Sequence, residues 1–394
     1  MNVLLVIEGT YPWYRGGVSE WVYQYIKNCP QFSFSILQIA TDTFISLEPE
    51  KALYPIPDNV KSFQRITPPV MIKDWDQSLE AWYLDQLINF SSISKNDVIH
   101  VTNTGFAGWL GAKISQDHNL PLVLTEHAIY WLEVEKGAVA LECGYKIPDS
   151  GAQKKEIVYL FKKIANLVYE QANETITVSE CNIPLQQKLG ASGIQYIPNG
   201  IPASWINPEA TICDNPVFGW VGRCAEMKNP LQFFDLVDEF QRKKFNCSFL
   251  MLLSDAGEKD LEEIVRSRSD KYDSVSIVWN KSAEDYYLKM DMLLITSHNE
   301  SQPLVMFEAL SKKVLPIGRE VGDLTSKYGL TFSPEISNSE LCDKVIQFWG
   351  DKINRDEFIQ NRFERVSKTH TWETIFSDYQ FLLNETVEKT GVVL

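Results

Sequence analysis

The chain has 394 residues, enough for about two or three domains of ordinary size. It is 44% hydrophobic and 12% aromatic, ample for sizeable cores. Its net charge of −15 argues against a nucleic-acid binder, which needs a basic face, and against broad electrostatic adhesion to anionic lipid.

Short apolar runs recur along the first half, and helical patterns separate most of them. Strands are predicted at Val3–Ile7, Phe34–Gln38, Val98–Val101, Leu122–Thr125, Thr175–Val178 and Gln195–Ile197. Helices are predicted at Ser19–Asn28, Gln77–Ile88, Gly105–Gln116, Gln153–Gln171 and Asn182–Leu189. The stretch Leu47–Pro69, with five prolines, reads as a long loop. Strands alternating with helices at this spacing imply βαβ units and a parallel sheet. The pattern breaks around Pro198-Asn199-Gly200, a turn signal, and has no clear period up to Asn215.

It then restarts. Val217–Val221 reads as a new first strand, with further strands at Ser248–Leu253, Val275–Trp279, Met292–Thr296 and Val314–Ile317. Helices are expected at Leu231–Phe240, Leu261–Arg266, Ala283–Lys289, Pro303–Ser311 and Ser339–Trp349, and a long amphipathic helix at Trp372–Glu388. The restart implies two similar doubly wound α/β domains, residues 1–205 and residues 206–371, followed by the terminal helical segment 372–394.

The seven cysteines form no CxxC pair or Cys/His cluster, so neither a disulfide framework nor a zinc site is expected. Those in apolar runs, such as Cys247, read as buried thiols in a reducing compartment. The N-terminus shows no signal-peptide pattern, and no apolar run approaches a membrane span. A soluble, cytoplasmic protein is expected, with at most peripheral membrane contact.

In an open parallel sheet, ligands collect beyond the C-terminal ends of the strands, so four post-strand loops carry the candidate chemistry. The first is Glu8–Val18, EGTYPWYRGGV, where Gly16-Gly17 either makes a tight turn or lets the backbone approach a ligand. It is not GxGxxG, so the dinucleotide fingerprint is absent. Trp13 and Tyr14 either stack on a sugar face or form a local cluster. The second is Thr125-Glu126-His127, where His127 is either a satisfied histidine at a strand end or a donor to a sugar hydroxyl or a phosphate oxygen, histidine being a proton carrier near neutral pH. His100 reads as a packed strand residue. The third is Gly219–Pro230, where Arg223 and Lys228 are either solvated charges or two cations suited to a diphosphate, and Pro230 opens a helix. The fourth is Thr296–Leu310, TSHNESQPLVMFEAL. It reads either as an ordinary βα unit with two exposed glutamates, or as a site with Glu300 near hydroxyls, Pro303 in the first helical turn, an anion site at the helix N-terminus, and Glu308 further along the helix. A glycosidase carboxylate pair is discounted, because both glutamates lie on one helical segment beside a cationic loop.

Taken in order, these residues resemble retaining glycosyltransferases of the GT-B type, glycosyltransferase family 4. The resemblance rests on EGTYPWYRGGVSEWV from Glu8, LTEHAIYW at Leu124–Trp131, ITVSE at Ile176–Glu180, YIPNGI at Tyr196–Ile201, VGRCAEMKNP at Val221–Pro230, and the pair Glu300 and Glu308. The opening segment, TNTGFAGWLGAK at Thr102–Lys113 and ESQPLVMFEAL look most like the branch containing the glucosyltransferase of Pel exopolysaccharide synthesis.

The resemblance implies two Rossmann-like domains facing across a cleft, with the C-terminal helix crossing back to the first. It implies a nucleotide-sugar donor, expected to be a UDP-sugar, and a glycan or lipid-linked glycan acceptor in bacterial surface polysaccharide synthesis. It places Arg223 and Lys228 on the diphosphate, Glu308 on the ribose, Glu300 by the transferred sugar, and His127 on the sugar or its phosphate. The backbone of Ser301, Gln302, Pro303, Leu304 and Val305 lines sugar and phosphates, and Gly16-Gly17 lies beside the phosphates. No metal or cofactor is expected, and a peripheral membrane or polysaccharide-synthesis complex is a possible partner. The pattern departs from many relatives at Ser301 and at Lys312-Lys313, where glycine or small residues are usual. A GT-B-shaped nucleotide-sugar epimerase and a silent nucleotide-sugar-binding scaffold are the rival readings.

Overall fold

The computed structural model describes residues 1–9, 11–13, 16–41, 52–70, 74–87, 95–137, 141, 143–148, 151–207, 209 and 215–391. Of the residues singled out above, Tyr14, Ile88 and the first part of Leu47–Pro69 lie outside them, as does Cys213, one of the seven cysteines.

The chain divides into two compact units: Met1–Pro198 with Ile375–Leu394, and Asn199–Thr374. The first unit runs β1 (Asn2–Glu8), α1 (Gly17–Asn28), β2 (Ser33–Ile39), β3 (Val60–Ile66), α2 (Trp75–Leu87), β4 (Val98–Val101), α3 (Phe106–His118) and β5 (Leu122–Glu126). It continues through α4 (Tyr130–Lys136), α5 (Gly151–Gln171), β6 (Glu174–Thr177), α6 (Ile183–Lys188) and β7 (Gln195–Tyr196). The second unit runs β8 (Val217–Arg223), α7 (Pro230–Arg242), β9 (Ser248–Ser254), α8 (Lys259–Ser269), β10 (Val275–Trp279), α9 (Glu284–Tyr287) and β11 (Met292–Ile295). Then come α10 (Leu304–Leu310), β12 (Leu315–Arg319), β13 (Leu330–Phe332), α11 (Asn338–Gly350) and α12 (Lys352–Thr369). The last helix, α13 (Trp372–Thr390), belongs to the first unit from Ile375 onward.

Both sheets are parallel. Their strand orders are β3-β2-β1-β4-β5-β6-β7 and β10-β9-β8-β11-β12-β13. Each order reverses beside its first strand, between β1 and β4 and between β8 and β11, which is where such sheets open a crevice at their C-terminal edge. The central strands are apolar on both faces because helices cover both. Along β11 the faces alternate. Met292 and Leu294 join the core that holds Phe218, Phe233 and Leu341, while Leu293 and Ile295 join the core that holds Met306 and Leu310.

In the first unit α13 supplies one of these covering faces. Ile375, Phe376, Tyr379, Leu382, Leu383 and Val387 are buried, and Gln380 Nε2 donates to the Asn28 carbonyl at 2.8 Å. Tyr25 donates or accepts at His100 Nδ1 (2.9 Å), and His100 Nε2 meets Thr125 Oγ1 at 2.8 Å. His100 is therefore a packed strand residue, as its position within an apolar run implies.

One stretch is corrected. Within Leu47–Pro69, residues Val60–Ile66 form β3, an edge strand paired in parallel with β2. Its sequence, VKSFQRI, is polar and half-exposed, so it lacks the apolar run that marks the central strands. The helices α4 and α12 and the short strand β13 were not expected either. Among the described cysteines, Cys29, Cys143, Cys224 and Cys342 are buried, Cys247 is partly buried with its thiol pushed up to about 12 by burial, and Cys181 is exposed. No helix of the described residues is long and apolar enough to cross a membrane.

Candidate functional site

In the second unit the candidate residues gather at the C-terminal ends of β8 and β11. Arg223 is the last residue of β8, and its exposed guanidinium makes no hydrogen bond or ion pair among the described residues. The chain then turns through a short helical turn, Glu226–Lys228, into Asn229, whose φ of 49° is left-handed. The Asn229 side chain caps α7 by accepting from the Gln232 N–H, and Pro230 opens that helix. Lys228 Nζ pairs with Glu300 Oε1, with side chains only 24% and 13% exposed.

Thr296, the residue after β11, ties the two loops together. Its hydroxyl accepts from Trp220 Nε1 at 2.8 Å and lies 3.0 and 2.9 Å from the carbonyls of Lys228 and Asn229. The His298 N–H donates to the Met227 carbonyl at 2.9 Å. Adjacent strands thus deliver adjacent loops, and two cations, Arg223 and Lys228, and one carboxylate, Glu300, reach one edge of the sheet.

The segment from Glu300 to Val305 is held from behind. Gln302 is buried, donates to Asp323 Oδ2 at 2.8 Å and accepts from the Asn199 N–H at 2.7 Å. The Asp323 N–H donates to the Ser301 carbonyl at 2.9 Å. Gly322, at φ +55°, lies under the same carbonyls, and a Cβ there would come within 2.3 Å of Ser301 O and 2.5 Å of Glu300 O. Only glycine fits both the conformation and the space. The Gln302 side chain is therefore committed to the scaffold, which leaves its backbone as what it offers a ligand.

Pro303 is a correction. It precedes α10 in an extended conformation (φ −70°, ψ 106°) and does not form the first helical turn. The N–H groups of Leu304 and Val305 have no acceptor among the described residues. Glu308, on α10, accepts a 2.7 Å hydrogen bond from Tyr287, a fully buried phenol on α9. Burial and the neighbouring carboxylate both push the Tyr287 hydroxyl up, so it stays a donor. Sequence reasoning missed Tyr287, which reads there as one more apolar residue of a short helix.

The first unit carries Gly16, Gly17 and His127. Gly16 is the N-cap of α1 with φ −176°, an extended conformation open to any residue, and a Cβ there would meet nothing within 4 Å. The tight-turn explanation for Gly16 therefore fails, and open space lies over the start of α1, whose first residue is Gly17. Trp13 is 8% exposed and packs edge-on against Phe63 at 5.8 Å, so it belongs to a local cluster. His127 follows β5 and packs edge-on against Trp21 at 4.9 Å. Its Nε2 is buried with no hydrogen-bond partner among the described residues. Burial lowers the ring to about 3. His127 is therefore neutral near pH 7, which corrects its expected role as a proton carrier and leaves it a hydrogen-bonding group.

Two buried carboxyls at strand ends were also missed. Glu8, at the end of β1, accepts from the Ala107 N–H at 2.8 Å and from Tyr130 at 3.0 Å. Gly105 makes room for it, since a Cβ there would fall 2.5 Å from Glu8 Oε1. Burial pushes the Glu8 carboxyl up to about 7. Glu126, at the end of β5, accepts from Thr104, Tyr169 (2.6 Å) and Gln186 (2.7 Å), and burial raises it too. Each brings several post-strand segments onto one carboxyl. Among the described residues, no three His, Cys, Asp or Glu side chains group as metal ligands.

The profile of a domain of unknown function, DUF3492, matches residues 1–78 and 80–193. A comparison with curated protein sequences gives no match. Among solved structures, sucrose-phosphate synthase from Thermosynechococcus elongatus is similar over 98% of this chain and 99% of its own, with a TM-score of 0.73 and 16% identity. HepE from Anabaena in complex with UDP is similar over 98% and 100%, with a TM-score of 0.72 and 15% identity. A glycosyltransferase from Rickettsia africae follows at 0.65 and 14% identity over 98% of each chain. Two parallel α/β units joined in this order give the chain the fold of these structures, the GT-B class that its motifs imply.

Proposed function

We propose that this chain is a glycosyltransferase that moves a sugar from a nucleotide-diphosphate donor to a glycan or lipid-linked glycan. The observation that carries the reading is the sheet edge of the second unit. A free guanidinium, Arg223, lies on the strand next to the Lys228–Glu300 pair, and Glu308 is fixed by Tyr287 on the helix that follows. The fold shared with HepE, a protein crystallised with UDP and with UDP-glucose, supports a UDP-sugar as donor.

On this reading Arg223 and Lys228 offset the charge that grows on the departing diphosphate. The N–H groups of Leu304 and Val305 add donors to the same anion. Glu300 pairs with Lys228 through one carboxylate oxygen and offers the other to a sugar hydroxyl. Glu308 takes the ribose hydroxyls, and His127 presents a neutral Nε2 to the sugar or its phosphate. In a retaining transfer the bond from the anomeric carbon to the phosphate oxygen breaks, and the acceptor oxygen bonds on the same face. The acceptor's proton passes to the leaving phosphate, so UDP departs and no separate protein base is required. The two cations make the step metal-independent. Membership of family 4, the Pel-like branch, a role in bacterial surface polysaccharide synthesis, a cytoplasmic location and peripheral membrane contact or a synthesis complex complete the proposal.

A panel of UDP-, GDP- and ADP-sugars, each with and without candidate acceptors, tests it. Nucleotide released from a UDP-sugar only when acceptor is present is the expected result. Isomerised donor would make the chain an epimerase, and binding without turnover would make it a scaffold; either outcome overturns the transfer reading.

A further inference from the structure

A cavity of about 270 Å³ lies in the second unit beyond the ends of β11 and β12, on the side covered by α7 and α11. None of the donor-binding candidates lines it. Among the polar side chains on its wall are Ser297, His298 and Arg319. Arg319 is partly buried, and its Nη2 donates to the Ile336 carbonyl and to Asn338 Oδ1, both at 2.7 Å. Those partners are neutral. No carboxylate pairs with Arg319 among the described residues, and its Nε and Nη1 have no acceptor. The partly buried Ser297 hydroxyl and the exposed His298 ring make no side-chain hydrogen bond among the described residues. The wall's one carboxylate, Glu320, is exposed and accepts a 3.5 Å hydrogen bond from Thr331.

A guanidinium partly withdrawn from water without a counter-charge carries a desolvation cost, and burial lowers its pKa here. A cavity wall with that group and two further unpaired polar side chains is complementary to an anion with several oxygens. Arginine's planar fork grips two oxygens of one phosphate, and the hydroxyl and imidazole can reach others. The volume leaves room for a few carbon atoms beyond the phosphate. We propose that this cavity binds a small phosphomonoester, its phosphate on Arg319, Ser297 and His298. The proposal does not depend on the donor reading, since it uses none of the same side chains.

Calorimetric titration of the full chain with inorganic phosphate and with glucose 6-phosphate, first without nucleotide and then in saturating UDP, tests it. Saturable binding of both probes is expected, with Arg319→Gln weakening each by about tenfold or more. Ser297→Asp, which places a second carboxylate on the wall, is expected to abolish binding while leaving the thermal unfolding midpoint unchanged. Loss of binding in saturating UDP would assign the phosphate to the diphosphate site and overturn the proposal, as would non-saturable heats. If Arg319→Gln fails to fold, Ser297→Asp decides, and wild-type affinity in that folded variant also overturns it.

Discussion

The Lys228–Glu300 pair and the Tyr287–Glu308 hydrogen bond set how the site responds to substitution. Lys228→Ala removes a cation from the leaving group and frees a carboxylate beside it, so both changes oppose charge growing on the diphosphate. Glu308→Ala removes the ribose anchor. Each is expected to lower donor turnover by about tenfold or more, and near wild-type turnover in both would sink the site assignment. Tyr287→Phe keeps the buried ring and removes only the hydroxyl that orients Glu308. It is expected to raise the donor KM about three- to tenfold, as loss of a hydrogen bond to a charged group does, with kcat nearly unchanged. An equal fall in kcat and kcat/KM would instead place Tyr287 in the chemical step. Glu8 makes a prediction about stability. Its carboxyl moves from an ordinary 4.5 to about 7 on folding, so between those values the folded state binds more protons than the unfolded one. Stability from this group is full below about pH 4.5 and is lost as pH rises through 7. Glu8→Gln resembles the protonated form. It is expected to match wild type near pH 5 and to exceed it at pH 8 by on the order of 3 kcal/mol, measured by urea unfolding. Wild type and variant falling together from pH 5 to 8 would refute it.

Single elements show what could be read from the sequence and what could not. The central strands were legible because two buried faces demand an unbroken apolar run, as in Val3–Ile7 and Met292–Ile295. The edge strand β3 and the helix α12 were not, because each buries only a thin set of side chains. In α12 these are Arg355, Ile359, Phe363 and Val366, in an otherwise strongly polar helix. Ligand loops were legible as positions after strands, but the partners that fix them were not. Thr296, Asp323 and Tyr287 act over separations of 67, 21 and 21 residues, which no local pattern reports. The departure at Lys312-Lys313 has a structural meaning. Lys313 closes the turn after α10 with φ +58°, and Lys312 is buried with its ammonium 3.9 Å from Glu284. A left-handed conformation costs a side-chain-bearing residue roughly 1 kcal/mol relative to glycine. Lys313→Gly is therefore expected to be more stable than Lys313→Ala by about that amount. Thermal unfolding of the two variants measures the difference, and equal midpoints would show that the turn carries no such strain.

At the scale of the whole molecule, the first unit is built from two distant stretches of chain, Met1–Pro198 and Ile375–Leu394. The helix α13 was legible from its amphipathic period, but the surface it covers was not, because period reports a buried face without naming its partner. That assignment came from the family resemblance alone. In the structure Phe376 and Tyr379 pack against Trp21 and Tyr25, with ring centroids 5.4 to 5.9 Å apart. Trp21 in turn packs against His127. The terminal helix is thus part of the core under the first unit's candidate residue. Ending the chain at Thr374 strips Ile375, Phe376, Tyr379, Leu382, Leu383 and Val387 from that core. Truncating one large buried side chain costs roughly 3–5 kcal/mol, against a total stability of about 5–15 kcal/mol for an ordinary domain. The shortened chain is therefore expected to lose the near-ultraviolet signal of the first unit's packed tryptophans. The milder Tyr379→Ala should keep the fold but lower its stability by about 3–5 kcal/mol. Adding a peptide of residues 375–394 to the shortened chain should restore part of the lost signal, because the helix supplies packing that the rest of the first unit lacks. A shortened chain that unfolds at the wild-type midpoint would show that Met1–Pro198 closes its own core.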